Sequence, residues 1–225
     1  MLTLLVIILA SYLLGSVPSA FIVGRVQGVY LEQHGSGNAG ATNALRVLGT
    51  GYGALVFAMD ILKGFLATRG LSMIRLGDGI PAWLGSDPNA DLWVMVIAGA
   101  AAMTGHVFTI IGRYFYGSWR GGKGVATGTG MLLGLIPVAI LIAIAIFATV
   151  VALTRYVSLG SILATSSIPF TLLIERALGF GVPGPFFAFA VIVPVFILYT
   201  HRSNVKRLLN GTESRIGQSK TEPST

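Results

Sequence analysis

The 225-residue chain contains no cysteine and only three histidines. Without a thiol it can form no disulfide, no thiolate nucleophile and no sulfur-ligated metal site. The histidines are scattered along the sequence, which argues against a dedicated metal centre. We therefore predict that the protein uses neither a metal nor another cofactor.

Charge is also scarce, because Asp, Glu, Lys and Arg make up 10% of the chain, against about 25% in soluble domains. Hydrophobic residues make up 54%, and the mean hydropathy is +0.80. These values indicate an integral membrane protein. The net charge of +7 is spread among loops and is not clustered with aromatic residues, so it indicates membrane topology and no nucleic-acid partner.

Lysine and arginine are missing from residues 1–24, so the first apolar run lacks the basic region of a cleaved signal peptide. We interpret it as the first membrane span. Its small residues and Pro18 suit a kinked helix that packs closely on its neighbours.

Apolar segments recur as far as Thr200 and predict an all-α bundle of membrane-spanning helices. We assign residues 1–211 to a single transmembrane catalytic domain. Residues 212–225 are polar without periodicity and are predicted to form a disordered cytoplasmic tail. The apolar segments are 1–24, 51–68, 92–111, 125–153, 157–178 and 185–200.

The apolar run 125–153 is too long for one span, which needs about 20 residues. One long helix would give six spans, with six cations on one side of the membrane and eight on the other. Two short helices that turn near 134–137 would give eleven cations on one side, against Arg69, Arg75 and Arg176 on the other. The positive-inside rule therefore predicts seven transmembrane helices, two of them short, with the N-terminus outside and the C-terminus in the cytoplasm.

Asp60 and Lys63 are opposite charges three residues apart inside the second span. Each alone would cost several kcal/mol in hydrocarbon, and their spacing places both on one helical face. We expect them to form an internal pair, with direct substrate contact as the alternative.

A polar loop at residues 35–46 has the composition of an anion-binding site. Its small residues let backbone N–H groups approach an anion, and an arginine can bind phosphate with two donors. The residues predicted to contribute are Ser36, Gly37, Asn38, Gly40, Thr42, Asn43 and Arg46.

A second glycine-rich loop, residues 120–127, combines fixed positive charge with the start of an apolar run. Gly121, Gly122, Lys123 and Gly124 resemble part of a nucleotide-binding P-loop. However, Gly124 stands where Ser or Thr would bind Mg²⁺, and no strand precedes the loop, so we exclude a nucleoside triphosphatase. What remains is a lysine and backbone amides at a helix N-terminus, which favour phosphate without a metal.

Two further polar clusters, 158–161 and 201–207, lie on the cytoplasmic side in the seven-helix topology. Each has an ordinary explanation, because serines in membrane helices often bond to their own backbone and cations at span ends often anchor topology. We interpret Arg25, Arg113, Arg155 and Arg207 as such anchors. It is the convergence of four polar clusters that indicates a binding site.

These four motifs together resemble the bacterial acyl-phosphate:glycerol-3-phosphate acyltransferase family. The resemblance rests on residues 35–43, 121–127, 156–161 and 201–209, and it runs from the first span to about Gly211. The sequence departs from the family at Ala39, where proline is usual, and this puts the rigidity of one turn in question.

The resemblance implies a multi-pass enzyme of the bacterial cytoplasmic (inner) membrane with its active site facing the cytoplasm. Such an enzyme moves a fatty acyl group from acyl phosphate to the 1-hydroxyl of glycerol 3-phosphate, forming lysophosphatidic acid and inorganic phosphate. It works among membrane lipids and has a functional link to the enzyme that makes acyl phosphate.

The resemblance also implies residue roles. Glycerol 3-phosphate would be held by Ser36, Arg46, Lys123 and Asn204. The acyl phosphate would be held by Thr42, Ser161 and the glycines beside Lys123, with His201 near the reacting atoms. We take as catalytic Ser36, Lys123, His201 and Asn204. We take as substrate-binding Ser36, Gly37, Asn38, Gly40, Thr42, Asn43, Arg46, Gly121, Gly122, Lys123, Gly124, Ser158, Ser161 and Asn204.

The residues present suit this chemistry. Acyl phosphate has a good leaving group, so attack by a hydroxyl needs positioning and charge stabilisation more than a strong base. None of the histidines is followed by aspartate five positions on, so the His-x4-Asp signature of thioester-using acyltransferases is absent. The main alternative is a transporter for a phosphorylated metabolite, which would require midplane ionisable residues and two similar halves.

Overall fold

The computed structural model describes residues 1–77 and 79–216. In these ranges every regular element is a helix, and extended pairing is limited to two isolated bridges. The α-helices are α1 (Leu2–Ser16), α2 (Ser19–Val26), α3 (Ala41–Leu48), α4 (Thr50–Phe65), α5 (Ala82–Gly85), α6 (Ala90–Val107), α7 (Ile110–Tyr116), α8 (Val125–Leu135), α9 (Pro137–Thr154), α10 (Val157–Ala177), α11 (Gly184–Thr200) and α12 (Arg202–Leu209). The predicted all-α class is confirmed.

Proline breaks the first apolar segment where the sequence predicts a kink. Helix α1 ends at Ser16 and α2 begins at Ser19, because Pro18 has no backbone N–H to continue the helical ladder. Helix α4 is extended by a π-helical turn, Leu66–Gly70, and a 3₁₀ turn, Leu71–Met73. The second span is therefore longer than its α-helical part alone.

The long apolar run is divided as predicted, although only one of its two helices is short. Helix α8 has 11 residues and α9 has 18. The break falls at Ile136 because Pro137 is tolerated in the first turn of a helix but not in its interior. The expectation of two short helices was wrong for α9, which begins at Pro137 and continues to Thr154.

Within the described ranges, four helical segments are long and apolar enough to cross a membrane: Leu2–Val26, Ala90–Val107, Pro137–Thr154 and Val157–Ala177. A fifth is obtained if α11 and α12, which are bent by 64° at His201, are counted as one span. The protein is thus a multi-pass helical membrane protein.

Glycines allow two helix pairs to approach until their backbones touch. A Cβ built on Gly15 of α1 would lie 2.0 Å from the Ala102 carbonyl oxygen of α6. A Cβ on Gly130 of α8 would lie 1.9 Å from the Ile61 carbonyl oxygen of α4. In lipid the hydrophobic effect does not drive helices together, so association depends on the van der Waals packing that such close contacts provide.

The largest apolar core lies among α6, α8, α9, α10 and α11. Its fully buried members include Met131, Leu172 and Val193. A second cluster joins α2, α3 and α4 around Phe21, Leu31 and Val56. This second cluster supports the first glycine-rich loop, which leads into α3.

Candidate functional site

The loop before α3 is held from inside by Asn43. Its side-chain oxygen accepts a hydrogen bond from the Ser36 backbone N–H at 2.8 Å, and its Nδ2 donates to the carbonyls of Leu31 and His34. Asn43 is buried, and both of its polar atoms are used. Asn43, which the sequence predicts to bind substrate, thus fixes the shape of the loop.

Left-handed backbone at Gly35 and Gly37, with φ of +64° and +70°, turns this loop outward. A Cβ on Gly35 would lie 2.2 Å from the Asn43 side-chain oxygen, so only glycine fits there. The turn leaves Ser36 exposed. Thr42 and Arg46 are also exposed, and they are one helical turn apart on α3.

The structure brings the two glycine-rich loops together. Ala39 pairs with Gly121 in a parallel bridge, and a Cβ on Gly40 would lie 3.5 Å from the Gly122 Cα. Ala39 is buried at this junction. Two segments separated by about eighty residues thus form one surface.

The second loop is fastened to the end of α6. The N–H groups of Gly121 and Gly122 donate to the carbonyls of Val107 and His106, both at 3.1 Å. A Cβ on Gly121 would lie 1.7 Å from the His106 carbonyl oxygen, and one on Gly122 would lie 2.1 Å from His106 Nε2. Positions 121 and 122 must be glycine because any side chain there would overlap His106. The sequence alone does not reveal this steric requirement.

Lys123 follows these glycines and precedes the N-terminus of α8. Gly124 caps that helix with φ of +86°, a conformation that favours glycine. The Lys123 ammonium donates a hydrogen bond to the Asn204 side-chain oxygen at 2.5 Å. The Lys123 backbone carbonyl accepts a hydrogen bond from the Thr200 hydroxyl at 2.9 Å. The lysine therefore links the second loop to α11 and α12.

Other charged side chains lie near Lys123 and act on its pKa. Burial lowers the pKa of Lys123 to about 8, the nearby charge of Glu213 opposes this shift, and the charges of Arg207 and Arg46 add to it. Burial disfavours the ammonium, and neighbouring cations disfavour it further. An anionic ligand among these groups would relieve both effects.

His201 lies at the bend between α11 and α12, and its side chain is buried. Its Nδ1 is 2.8 Å from the Ile197 carbonyl oxygen. In the neutral ring this contact places the proton on Nδ1 and leaves Nε2 as the acceptor nitrogen. The imidazole can thus accept a proton at Nε2.

Glu213 is a site residue that the sequence analysis assigned to the tail. Its Oε1 accepts hydrogen bonds from Ser158 at 2.7 Å and Asn204 at 2.6 Å, and its Oε2 accepts from Arg207 at 2.6 Å. Burial alone would raise the pKa of Glu213, but these bonds and the Arg207 charge outweigh it and lower the pKa. A lone carboxylate in a strongly basic segment was the signal available in the sequence.

The start of the predicted tail is therefore ordered against the domain. The backbone N–H of Ile216 donates to the Arg155 carbonyl at 2.9 Å, and the Arg215 guanidinium lies over the Tyr156 ring at 5.0 Å. Arg207, interpreted as a topology anchor, pairs with Glu213 instead. Residues 217–225 of the predicted tail lie outside the described ranges.

Replacing Glu213 with glutamine should destabilise the protein. The neutral amide loses the ion pair with Arg207 and weakens two further bonds, and a hydrogen bond to a charged group contributes about 1.5–3 kcal/mol. We expect a lower thermal unfolding midpoint for the detergent-solubilised variant, by about 5 °C for a loss of about 2 kcal/mol.

The matched control is Asp91→Asn, which also removes a carboxylate from an arginine pair. Arg75 and Asp91 are 2.6 Å apart, but the Asp91 side chain is 76% exposed, and exposed pairs contribute about 0–1 kcal/mol. Equal midpoints for the two variants would contradict a stabilising role for Glu213.

Not every predicted residue has a free polar group at this surface. The Ser161 hydroxyl donates to the Val157 carbonyl within its own helix at 2.9 Å, and the residue is buried. Asn38 is half-buried beside the bridge formed by Ala39. Hydrogen bonds connect Lys123 to Asn204, and Asn204 to Ser158 through Glu213. Ser36, Thr42 and Arg46 are exposed on the segment that the Ala39–Gly121 bridge joins to the second loop.

The chain is similar to known proteins over nearly its whole length. The family model for glycerol-3-phosphate acyltransferase matches residues 5–211. A glycerol-3-phosphate acyltransferase of Chlorobaculum tepidum is 42% identical, covering 96% of this chain and 97% of that protein. A glycerol-3-phosphate acyltransferase of Halalkalibacterium halodurans is also 42% identical, and the match covers 95% of this chain and 96% of that protein.

Two solved structures share the fold. One is a crystal structure of PlsY (YgiH), an integral membrane glycerol 3-phosphate acyltransferase, in its glycerol 3-phosphate form. It has a TM-score of 0.77 and 35% identity, covering 95% of this chain and 96% of that one. The lysophosphatidic acid form of PlsY has a TM-score of 0.75 and 34% sequence identity, and the match covers 95% of each chain.

Proposed function

This chain belongs to the glycerol-3-phosphate acyltransferase family, and from that premise we propose that it transfers a fatty acyl group from acyl phosphate to the 1-hydroxyl of glycerol 3-phosphate. The products are lysophosphatidic acid and inorganic phosphate. This is the first step of phospholipid synthesis, and it links the protein to the enzyme that makes acyl phosphate.

The observation that carries this proposal is the meeting of distant polar segments around Lys123. The 35–46 and 120–124 loops touch through Ala39 and Gly121, and Asn204 binds the lysine directly. Both substrates contain phosphate, and such a surface offers charged donors, exposed hydroxyls and the N-terminus of α8 to them. The resulting site can hold two phosphates without a metal.

We assign the substrates to the two sides of Lys123. Glycerol 3-phosphate is bound by Arg46, Ser36, Lys123 and Asn204. The acyl phosphate lies against the backbone amides at the N-terminus of α8, directly after Lys123, with Thr42 and the α10 serines nearby. Because α8 is apolar beyond Thr129, the acyl chain can lie in hydrocarbon while its phosphate meets the polar loops.

The reaction is a direct transfer in one site. The 1-hydroxyl oxygen attacks the acyl carbonyl carbon, the bond from that carbon to the phosphate oxygen breaks, and phosphate leaves with the electron pair. Lys123 and the backbone amides at the N-terminus of α8 stabilise the leaving phosphate and the oxyanion that develops on the carbonyl. The hydroxyl proton passes to a substrate phosphate or to Nε2 of His201, whose Nδ1 is engaged by Ile197.

A comparison of acyl donors tests the proposed function. Purified protein receives glycerol 3-phosphate together with acyl phosphate, acyl-CoA or acyl-carrier protein, and lysophosphatidic acid is measured. We expect product only with acyl phosphate. Product from a thioester alone would overturn the assigned donor, and an acylated Ser36 or Ser161 trapped during turnover would overturn direct transfer.

The membrane arrangement proposed is seven crossings, by α1, α4, α6, α8, α9, α10 and α11. Five of these correspond to candidate spans by length and composition, counting α11 with α12. Helix α4 gains length from Leu66–Gly70, whereas α8 is a short crossing of 11 residues. This arrangement puts the site at the cytoplasmic face of the bacterial inner membrane, with the N-terminus outside.

Single cysteines can test this topology cleanly, because the natural chain has none. Ser86→Cys and Val138→Cys should react with a membrane-impermeant maleimide from the outside, and Ser203→Cys from the cytoplasmic side. All three positions are exposed. Labelling of Val138→Cys from the cytoplasm would contradict a crossing by α8.

A further inference from the structure

The Asp60 and Lys63 pair of α4 belongs to a larger buried polar cluster. Lys63 Nζ lies 2.9 Å from Asp60 Oδ1 and also donates to the Val17 carbonyl at 3.0 Å. The Ser19 hydroxyl donates to the same Asp60 oxygen at 2.8 Å. The pairing predicted from the sequence is present, and it joins α4 to the break between α1 and α2.

His106 connects this cluster to the second glycine-rich loop. Its Nδ1 lies 3.7 Å from Asp60 Oδ1, and its side chain is 4% exposed. On the other edge of the ring, the Nε2 occupies the space that a side chain on Gly122 would need. The imidazole is therefore placed between the Asp60 carboxylate and the backbone of the residue before Lys123.

Two backbone carbonyls at the end of α6 complete the connection. The carbonyls of His106 and Val107 accept the N–H groups of Gly122 and Gly121. A shift of the last turn of α6 would displace both glycines through these bonds, and a rotation of the His106 ring would bear on Gly122. Lys123 would move with them, because it is the next residue in the chain.

We propose that Asp60 and His106 are positioning residues for phosphate binding: Asp60 orients the His106 ring, and His106 holds the Gly121–Gly122 backbone so that Lys123 faces the phosphate. This inference rests on the proposed function of Lys123. The 3.7 Å between Asp60 Oδ1 and His106 Nδ1 is longer than a hydrogen bond, so the carboxylate acts on the ring through its charge and its packing. Lys63 neutralises the carboxylate, which would be costly alone inside a membrane span.

Asp60→Asn and His106→Ala test this proposal, with Leu172→Ala as the matched control. Leu172 is fully buried in α10 and belongs to the main core, so its truncation lowers stability without touching the loop. For each protein, the affinity for inorganic phosphate is measured by titration calorimetry and normalised to the folded fraction. The kcat for acyl transfer from acyl phosphate is measured in parallel.

We expect each cluster variant to weaken phosphate binding and lower kcat by about 10- to 100-fold per folded molecule. Leu172→Ala should lower the unfolding midpoint and leave both quantities unchanged. In a Lys123→Met background, Asp60→Asn should weaken phosphate binding by less than about twofold further, because a positioning effect requires the lysine.

Several outcomes would overturn the proposal. Unchanged phosphate affinity and kcat per folded molecule in Asp60→Asn would reduce the cluster to a stabilising role. A full additional loss in the Lys123→Met background would show that the cluster acts independently of the lysine. The phosphate measurement does not depend on turnover, so failure of the wild-type protein to transfer an acyl group would overturn the proposed function separately.

Discussion

Lys123→Met is expected to lower kcat/KM for acyl transfer from acyl phosphate to glycerol 3-phosphate by on the order of 10³-fold. Removing one donor that stabilises a developing oxyanion typically costs about 10²–10³-fold, and this lysine also contacts the leaving phosphate in the proposed reaction. Methionine keeps a similar length and an apolar stem, so α8 and its loop should remain folded. The assay is initial-rate formation of lysophosphatidic acid.

The control for the loss of a cation is Lys206→Met. Lys206 is an exposed residue of α12, the helix that also carries Asn204. We expect its activity to remain within about twofold of the wild-type value, because an isolated surface charge contributes little. Equal losses in the two variants would point to net charge and would contradict a specific role for Lys123.

The same lysine should set the alkaline limit of activity. Burial lowers the pKa of Lys123 to about 8. Well below that pH the side chain is fully protonated, which is the form that the proposed reaction requires. It is lost as the pH rises through about 8. The wild-type kcat/KM, which reports groups of the free enzyme, should therefore fall above this value. In Lys123→Arg, whose guanidinium does not titrate there, any residual activity should lack this decline.

Gly121→Ala is expected to lower kcat/KM by on the order of 10²-fold or more. Its Cβ would lie 1.7 Å from the His106 carbonyl oxygen and 3.0 Å from that of Val107. Both neighbours are backbone atoms at the end of α6, so the glycine loop must be the part that shifts. A displacement of about 1 Å in a positioning element can cost about 10²-fold. Kinetics and inorganic phosphate affinity together measure the effect.

Gly51→Ala provides the matched glycine-to-alanine control. Gly51 lies in the first turn of α4, and a Cβ built there meets no atom within 4 Å. Alanine in a helix is favoured over glycine by about 0.5–1 kcal/mol, so this variant should keep full activity and at least wild-type stability. If Gly121→Ala behaved like Gly51→Ala, the tight contact with His106 could not be what positions the loop.

Much of the fold follows from local properties of the sequence. Scarce charge and recurrent apolar runs identify a membrane protein, and Pro18 and Pro137 mark two helix breaks, because proline acts on its own turn. The Asp60–Lys63 pair was equally accessible, since the two side chains are three residues apart on one helix. These predictions needed no knowledge of how distant segments pack.

The composition of the site was also accessible from the sequence, whereas the division of labour within it was not. Glycines and polar side chains in the 35–46 and 120–127 loops predicted an anion site. The structure shows that Asn43 holds its own loop, and that Gly121 and Gly122 make room for His106. Composition reports which groups are present, but the direction in which each group points depends on its neighbours.

The sequence by itself determined the class of protein, the approximate positions of its helices and the glycine-rich, polar composition of two loops, because each depends on neighbouring residues. Only the tertiary structure showed that Glu213, in the predicted tail, accepts hydrogen bonds from Ser158, Asn204 and Arg207. It likewise decided that His106 joins Asp60 to Gly122, contacts that span tens of residues. Such contacts are set by helix packing, which no local periodicity encodes.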